Sequence, residues 1–347
     1  MEKIRLGRTG LMVSRLGFGG IPIQRLSDEG AVEVISRCLD LGVTFIDTAN
    51  GYTTSEERIG KAVAGRRQDV IIATKSGART REGVEEHLAL SLKRLGTDYI
   101  DIYQFHGVST MEALEQVLDP NGPIAVAEEA KRKGQIRHIS ISSHSMEVSK
   151  EAVKTDRFET IMFPFNFITN EAADQLLPLA REHDVGFIAM KPMAGGMLEN
   201  ATIAFKYLFQ FPDIVPIPGI EKIEEIEEIV GILEESPEMT PADEKEMQRL
   251  RDELGTRFCR RCDYCQPCTA GIPISLVMTS PSFAKRMPPE RFFSGFIAEG
   301  LEKAAECVAC HECEERCPYG LPITDMISER VKWFDELKKK YEETGVF

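Results

Sequence analysis

Short, nearly continuous apolar runs alternate along the first two thirds of the chain with stretches whose apolar positions recur every three or four residues. The runs are Val13–Phe18, Val43–Asp47, Val70–Thr74, Ile100–Phe105, Ile136–Ile141, Thr160–Phe165, Val185–Met190 and Ile214–Pro218. Between them the spacing predicts amphipathic helices, among them Ser55–Ala64, Glu82–Leu95, Glu171–His183 and Ile223–Leu233. A strand that is apolar along its whole length suits a parallel sheet covered on both faces. Eight such strands, each followed by a helix, predict an α/β fold, the (β/α)8 TIM barrel, which typically takes ~250 residues. The competing doubly wound sheet wants a Gly-x-Gly-x-x-Gly turn that opens a helix after its first strand. Here Gly17-Phe18-Gly19-Gly20 leads into Ile21-Pro22, so the barrel fits better.

Two flanking segments complete the organisation. Met1–Met12, with Gly7-Arg8-Thr9-Gly10 at its turn, reads as a hairpin that caps the barrel bottom. Thr240–Leu254 reads as a charged helix with Pro241 at its first position. The expected boundary lies near Gly255, with the barrel at residues 1–255 and a small, mainly helical ferredoxin-like iron–sulfur domain at 256–347.

The cysteines define that second domain. Eight of the nine follow Arg257, and only Cys38 lies earlier, on the apolar side of the first barrel helix, where it reads as a core residue. They form Cys259-x2-Cys262-x2-Cys265-x2-Cys268 and Cys307-x2-Cys310-x2-Cys313-x3-Cys317-Pro318. The second spacing is that of bacterial ferredoxins, down to the proline after the fourth cysteine. Thiolates this close together suit a cluster of several irons, whereas a structural zinc usually takes two Cys-x2-Cys pairs split by a long loop. Two [4Fe–4S] clusters are therefore expected, with two zincs as the alternative. In two-cluster ferredoxins the fourth cysteine of each motif ligates the other cluster. That rule groups Cys259, Cys262 and Cys265 with Cys317, and Cys307, Cys310 and Cys313 with Cys268. The first motif departs from the pattern, with two residues before Cys268 and Pro267 ahead of it.

Charge narrows the partners. A net charge of −14 repels nucleic acid and gives no reason to expect an anionic membrane surface. Met1–Gly10 has no apolar core of a signal peptide, and no apolar run approaches the ~20 residues of a membrane helix, so a soluble, cytoplasmic protein is expected.

Barrel enzymes place their chemistry at the C-terminal ends of the strands. Those ends carry Asp47, Lys75 and His106, with Tyr52 in the loop after Asp47. Each has a bland reading: a turn aspartate, a solvated rim lysine, a satisfied histidine, a loop aromatic. Four at neighbouring strand ends favour a site.

The surrounding motifs carry a family resemblance. Phe45-Ile46-Asp47-Thr48-Ala49-Asn50-Gly51-Tyr52 with Ser55-Glu56 and Ile59-Gly60, then Ala73-Thr74-Lys75, Tyr99-Ile100-Asp101 and Gln104-Phe105-His106, resemble the aldo-keto reductases from the Gly7–Gly10 hairpin to about Gly219. The cysteine-rich tail resembles the ferredoxin-fused branch of that family. The resemblance implies a catalytic tetrad of Asp47, Tyr52, Lys75 and His106 acting on a small carbonyl or alcohol. Carbonyl reduction needs hydride on carbon and a proton on oxygen. A tyrosine hydroxyl, ordinarily a weak acid with pKa ~10, becomes a better one beside an ammonium that stabilises its phenolate. Asp47 would hold Lys75 charged, and His106 would orient the carbonyl.

The same resemblance places a cofactor against Ser142, Ser143, Asn166, Met162, Met190, the Lys191–Gly196 loop and the segment that starts at Gly219. The family's usual asparagine is Ser143 here, and its stacking aromatic is Met190. In Gly219–Glu228, Glu225 falls where NADP-specific members carry an arginine, so NAD(H) is expected over NADP(H), and a flavin remains an alternative carrier. Hydride chemistry moves two electrons and each cluster one, so either a flavin or flavoprotein partner converts between them or the clusters do not exchange electrons with the barrel site; a redox partner such as a ferredoxin or flavoprotein is expected. Two further readings stay open: an electron-transfer protein whose barrel is a docking scaffold, and an oxidoreductase that uses flavin in place of nicotinamide.

Overall fold

A computed structural model describes residues 1–235 and 238–347. The chain forms two compact units, Met1–Thr240 and Pro241–Phe347.

The first unit is a closed parallel barrel. Its strands are β1 (Gly17–Gly19), β2 (Phe45–Asp47), β3 (Ile71–Ser76), β4 (Ile100–Phe105), β5 (Ile136–Ser142), β6 (Thr160–Pro164), β7 (Gly186–Met190) and β8 (Ile214–Ile217). The ring closes where the Gly19 N–H donates to the Pro218 carbonyl at 2.7 Å, and Gly19 bridges Gly219 in parallel register. A Cβ at Gly19 would stand 2.7 Å from that carbonyl oxygen, so only glycine lets β1 reach β8.

One expectation needs correcting. The apolar run Val13–Phe18 is not a single strand. Met12–Ser14 pairs antiparallel with Lys3–Arg5, which extends the hairpin beyond Met12, and the first barrel strand is Gly17–Gly19. The Ser14 hydroxyl donates to the Leu16 carbonyl at 2.6 Å while it accepts the Thr44 N–H at 2.9 Å, which turns the chain between the two pairings. Ile4, Leu6 and Val13 of the hairpin pack beneath Phe45, Ala73, Ile102, Ile188 and Val215, so the barrel floor is apolar.

The helices that matter here are α1 (Asp28–Asp40), α2 (Ser55–Ala62), α3 (Arg81–Leu95) and α4 (Ile223–Glu235). Ser27 and Thr80 cap α1 and α3 by accepting the Gly30 and Gly83 N–H groups. Cys38 is buried in α1. The expected helix Glu171–His183 is broken into Ala172–Gln175 and Leu177–Glu182, with Pro178 in the first turn of the second piece. Proline offers no N–H to a preceding turn, so a continuous helix would lose a hydrogen bond there.

The second unit is helical, with no strand among the described residues. Its core comprises Ile272, Ile274, Val277, Phe292, Ile297, Leu301, Leu321, Ile323, Met326, Ile327 and Phe334. The helices Ile274–Met278, Gly295–Ala304 and Ile323–Thr344 supply most of it, and both cysteine segments lie against this core. No helix among the described residues is long and apolar enough to cross a membrane.

Candidate active site and candidate metal centres

Strand register sets the barrel site. Lys75 stands beside Gln104, Gln104 beside Ser140 and Ser140 beside Thr160, so β3 to β6 carry one polar row among apolar neighbours. Lys75 is 2% exposed and Asp47 3% exposed, so neither charge could persist there alone. They meet: the Lys75 Nζ donates to Asp47 Oδ2 at 2.6 Å and to the Thr48 carbonyl at 2.6 Å. The Gln104 amide donates to Asp47 Oδ1 at 3.0 Å. Ser140 donates to Gln104 Oε1 at 3.4 Å and to the Thr160 carbonyl at 3.0 Å, which extends the network across the barrel.

Tyr52 reaches this pair from the loop after β2. Its phenol hydrogen-bonds the Lys75 ammonium, and Lys75 Nζ lies 5.0 Å from the ring centre. Burial alone would push the Lys75 ammonium down, but the Asp47 carboxylate and the Tyr52 oxygen beside it hold it above its ordinary value. These neighbours favour the ammonium form of Lys75. His106, at the end of β4, packs edge-on to Tyr52 with ring centres 5.9 Å apart. The Tyr52 loop is fixed by Asn50, whose N–H donates to the Lys75 carbonyl at 3.0 Å and whose amide donates to Ser91 Oγ at 3.2 Å. The sequence reading gave Gln104, Thr48 and Asn50 no role. The signal for Gln104 was there: a glutamine inside an otherwise apolar strand needs a buried partner.

The expected cofactor-side residues are placed differently from the tetrad. Ser142 Oγ accepts the Gly107 N–H at 3.0 Å, which ties the loop after β4 to the end of β5, and Ser143 Oγ accepts the Ser145 N–H at 3.0 Å, which braces a local turn. Asn166 donates to the Lys191 carbonyl at 3.0 Å and accepts the Ile168 and Thr169 N–H groups at 2.9 and 2.8 Å. It ties the loop after β6 to the loop after β7. Met162 is buried in the barrel core and Met190 packs against the same cluster. Lys191, Ala194, Gly195 and Gly196 are all left-handed, at φ of 58°, 49°, 70° and 89°. The Ala194 and Gly196 N–H groups are spent on the Lys191 and Met193 carbonyls at 2.9 and 2.8 Å, which folds the loop into tight turns. Glu225 turns back on its own helix: its Oε2 accepts the Glu221 and Lys222 N–H groups at 2.8 and 3.0 Å, at the start of α4. A carboxylate thus already fills a place where helix amides would attract a phosphate.

In the second unit two hollows collect the cysteines. One, of about 340 Å³ including open solvent, is lined by Cys259, Cys262, Cys265 and Cys317, with Tyr319, Ile274 and Ile323. The other, about 360 Å³ on the same basis, is lined by Cys268, Cys307, Cys310 and Cys313. Each gathers the first three cysteines of one motif and the last of the other. The thiols feel one another: Cys262 is influenced by Cys317, Cys265 by Cys259, and Cys313 by Cys307 and Cys310. Burial pushes Cys259 up to about 11 and Cys265 up to about 12, so thiolates there call for a compensating positive charge. Among the described residues no three His, Cys, Asp or Glu side chains converge tightly enough for a single metal ion. Each hollow thus presents four soft sulfur donors.

Comparison with known proteins bears on the barrel. Residues 15–202 match the model of the aldo/keto reductase family. An uncharacterized oxidoreductase of Bacillus subtilis, YqkF, is 33% identical over 212 residues, 57% of this chain and 67% of that protein. The NADH-specific methylglyoxal reductase of Escherichia coli is 28% identical over 238 residues, 60% of this chain and 72% of that protein. Among solved structures, the holo form of aldo-keto reductase AKR11C1 from Bacillus halodurans superposes with a TM-score of 0.64 at 28% identity, over 72% of this chain and 96% of that one.

Proposed function

This chain belongs to the aldo/keto reductase family and is an oxidoreductase, and from that premise we propose that it interconverts a small carbonyl compound and its alcohol at Tyr52, with NAD(H) as hydride carrier, and that its second unit carries two [4Fe–4S] clusters. The observation that carries the barrel reading is the buried Asp47–Lys75 pair joined to the half-buried Tyr52, with His106 beside it.

A bound nicotinamide would supply the hydride for the carbonyl carbon. Tyr52 delivers the proton to the carbonyl oxygen, and the Lys75 ammonium steadies the phenolate left behind. Asp47 compensates Lys75, and Gln104 and the Thr48 carbonyl hold the pair in place. His106 orients the carbonyl against Tyr52. In oxidation the same groups take the proton from the alcohol. The carrier would be held beside the Lys191–Gly196 loop, with Ser142, Ser143 and Asn166 fixing the adjoining loops, Met190 packing alongside and Gly219 opening the segment after β8. Glu225 favours NAD over NADP, because a ribose hydroxyl can donate to a carboxylate and a 2′-phosphate is repelled by it. The E. coli relative is NADH-specific by its name.

In the second unit Cys259, Cys262, Cys265 and Cys317 would hold one cluster, and Cys268, Cys307, Cys310 and Cys313 the other, which makes this a member of the ferredoxin-fused branch. A cluster passes one electron at a time. A flavin, bound or in a flavoprotein partner, would therefore have to convert between that unit and the paired electrons of the barrel, and a ferredoxin partner could exchange single electrons with the clusters alone.

Two measurements test the proposal. Anaerobically prepared protein should hold about eight irons and eight sulfides per chain, falling to about four in Cys317→Ser, as the loss of one of two cubanes requires. Two zincs without sulfide would overturn the clusters. Tyr52→Phe should keep its iron and lose about 10²- to 10⁴-fold in carbonyl turnover, the usual worth of a general acid. Turnover at the parent rate would leave the barrel as a docking scaffold.

A further inference from the structure

Arg79 stands apart from the other arginines of the barrel unit. Among the described residues, every other arginine there pairs with an aspartate or glutamate, except the exposed Arg132. Arg79 meets only carbonyls. Its Nη1 donates to Gly77 at 3.2 Å and Ala78 at 3.1 Å, and its Nη2 to His106 at 2.6 Å. It is half-buried, and burial pushes the guanidinium below its ordinary value with no carboxylate to oppose it. In a chain of net charge −14, where acids outnumber bases 56 to 42, a desolvated cation without an anion is conspicuous.

Its position gives that cation a use. Arg79 lies in the loop after β3, four residues beyond Lys75, and the carbonyl it grips belongs to His106, whose ring faces Tyr52. The next residue, Thr80, caps α3, a helix of 15 residues whose positive end adds to the local potential. A guanidinium has five N–H donors in one plane. Three are spent on carbonyls, which leaves the Nε–H and one Nη2–H, the number a carboxylate engages side by side.

We propose that Arg79 binds a carboxylate on the substrate, so that the preferred substrates are aldehydo- or keto-acids with the reacting carbonyl held at Tyr52 and His106. The inference rests on the barrel reading above and adds the substrate class to it.

The probes are 4-carboxybenzaldehyde and its methyl ester, which differ in charge and little in shape. The parent should favour the acid in kcat/KM by about 10- to 100-fold, the worth of a charged, hydrogen-bonded pair. Arg79→Met should collapse that ratio through the KM of the acid, and Arg79→Lys should restore part of it, since the charge returns without the fork. No preference in the parent, or a ratio unchanged in Arg79→Met, would overturn the proposal. Loss of turnover for both probes in Tyr52→Phe upholds the barrel reading whatever the ratio. If the parent reduces neither probe, calorimetry decides: benzoate should bind the parent more tightly than benzamide and lose that advantage in Arg79→Met. Equal binding of the two by the parent would refute it.

Discussion

Removing Lys75 tests whether the buried pair is built as described. Lys75→Met would leave the Asp47 carboxylate 3% exposed, with the Gln104 amide at 3.0 Å as its remaining side-chain donor. Breaking a buried pair from one side typically costs about 3–5 kcal/mol, because the other charge stays desolvated. Asp47→Asn should cost a similar amount by stranding the ammonium against the Thr48 carbonyl. The double variant removes both charges and keeps an amide that Gln104 can still bond. It should lie within about 2 kcal/mol of the parent, a coupling of 3 kcal/mol or more in a double-mutant cycle. Activity should not follow stability. The double variant still lacks the ammonium beside Tyr52, so turnover stays about 10²- to 10⁴-fold down. Urea unfolding followed by far-UV circular dichroism is the assay. Tryptophan fluorescence would report the wrong unit, since the single tryptophan, Trp333, lies in the second. A double variant no more stable than the worse single one would refute the compensated pair.

Two further outcomes follow. The parent should bind NADH more tightly than NADPH, and Glu225→Arg should reverse that order by at least ~10-fold while the lost carboxylate cap costs about 0.5–2 kcal/mol of stability; parent affinity equal for both nucleotides, read by fluorescence titration in matched salt, would remove Glu225 from specificity. Burial alone would raise the Glu159 carboxyl, but His138, Lys131 and the Ile139 N–H hold it at about 2 against an ordinary 4.5, so its contribution, at most about 3 kcal/mol, is present above pH 4.5 and lost as the pH falls through 2. Thermal melts should show the parent losing stability over that window faster than Glu159→Gln; parallel curves would count against the Glu159 network.

What the sequence made legible divides by the range of the interactions. Strands β2 to β8 could be read because burial on both faces leaves a local signature, an apolar run that needs no knowledge of its neighbours. The first strand could not. Gly17-Phe18-Gly19 is short, and what makes it a barrel strand is its bond to Pro218, some two hundred residues away in sequence, where only glycine fits. The division of Val13–Phe18 between hairpin and barrel rests likewise on Ser14 meeting Thr44. Asp47, Lys75 and His106 were visible as chemistry-bearing side chains at strand ends, because a barrel's geometry makes that position meaningful in advance.

Which partners their supports would meet was not visible, and the reason is physical. Gln104 matters because strand register sets it beside Lys75 and its amide then reaches Asp47 two strands away. Register follows from the barrel as a whole and leaves no trace in the residues flanking Gln104. Glu225 shows the opposite error of locality. In sequence it reads as a repelling carboxylate where NADP-specific members carry an arginine, whereas in the fold it closes the amides at the start of its own helix. The effect on a second phosphate has the same sign, but the agent differs: a filled anion site is a stronger discriminator than diffuse surface charge, which salt screens. The NADH preference should accordingly survive raised ionic strength in the parent, and only a preference that fades with added salt would restore the simpler electrostatic account.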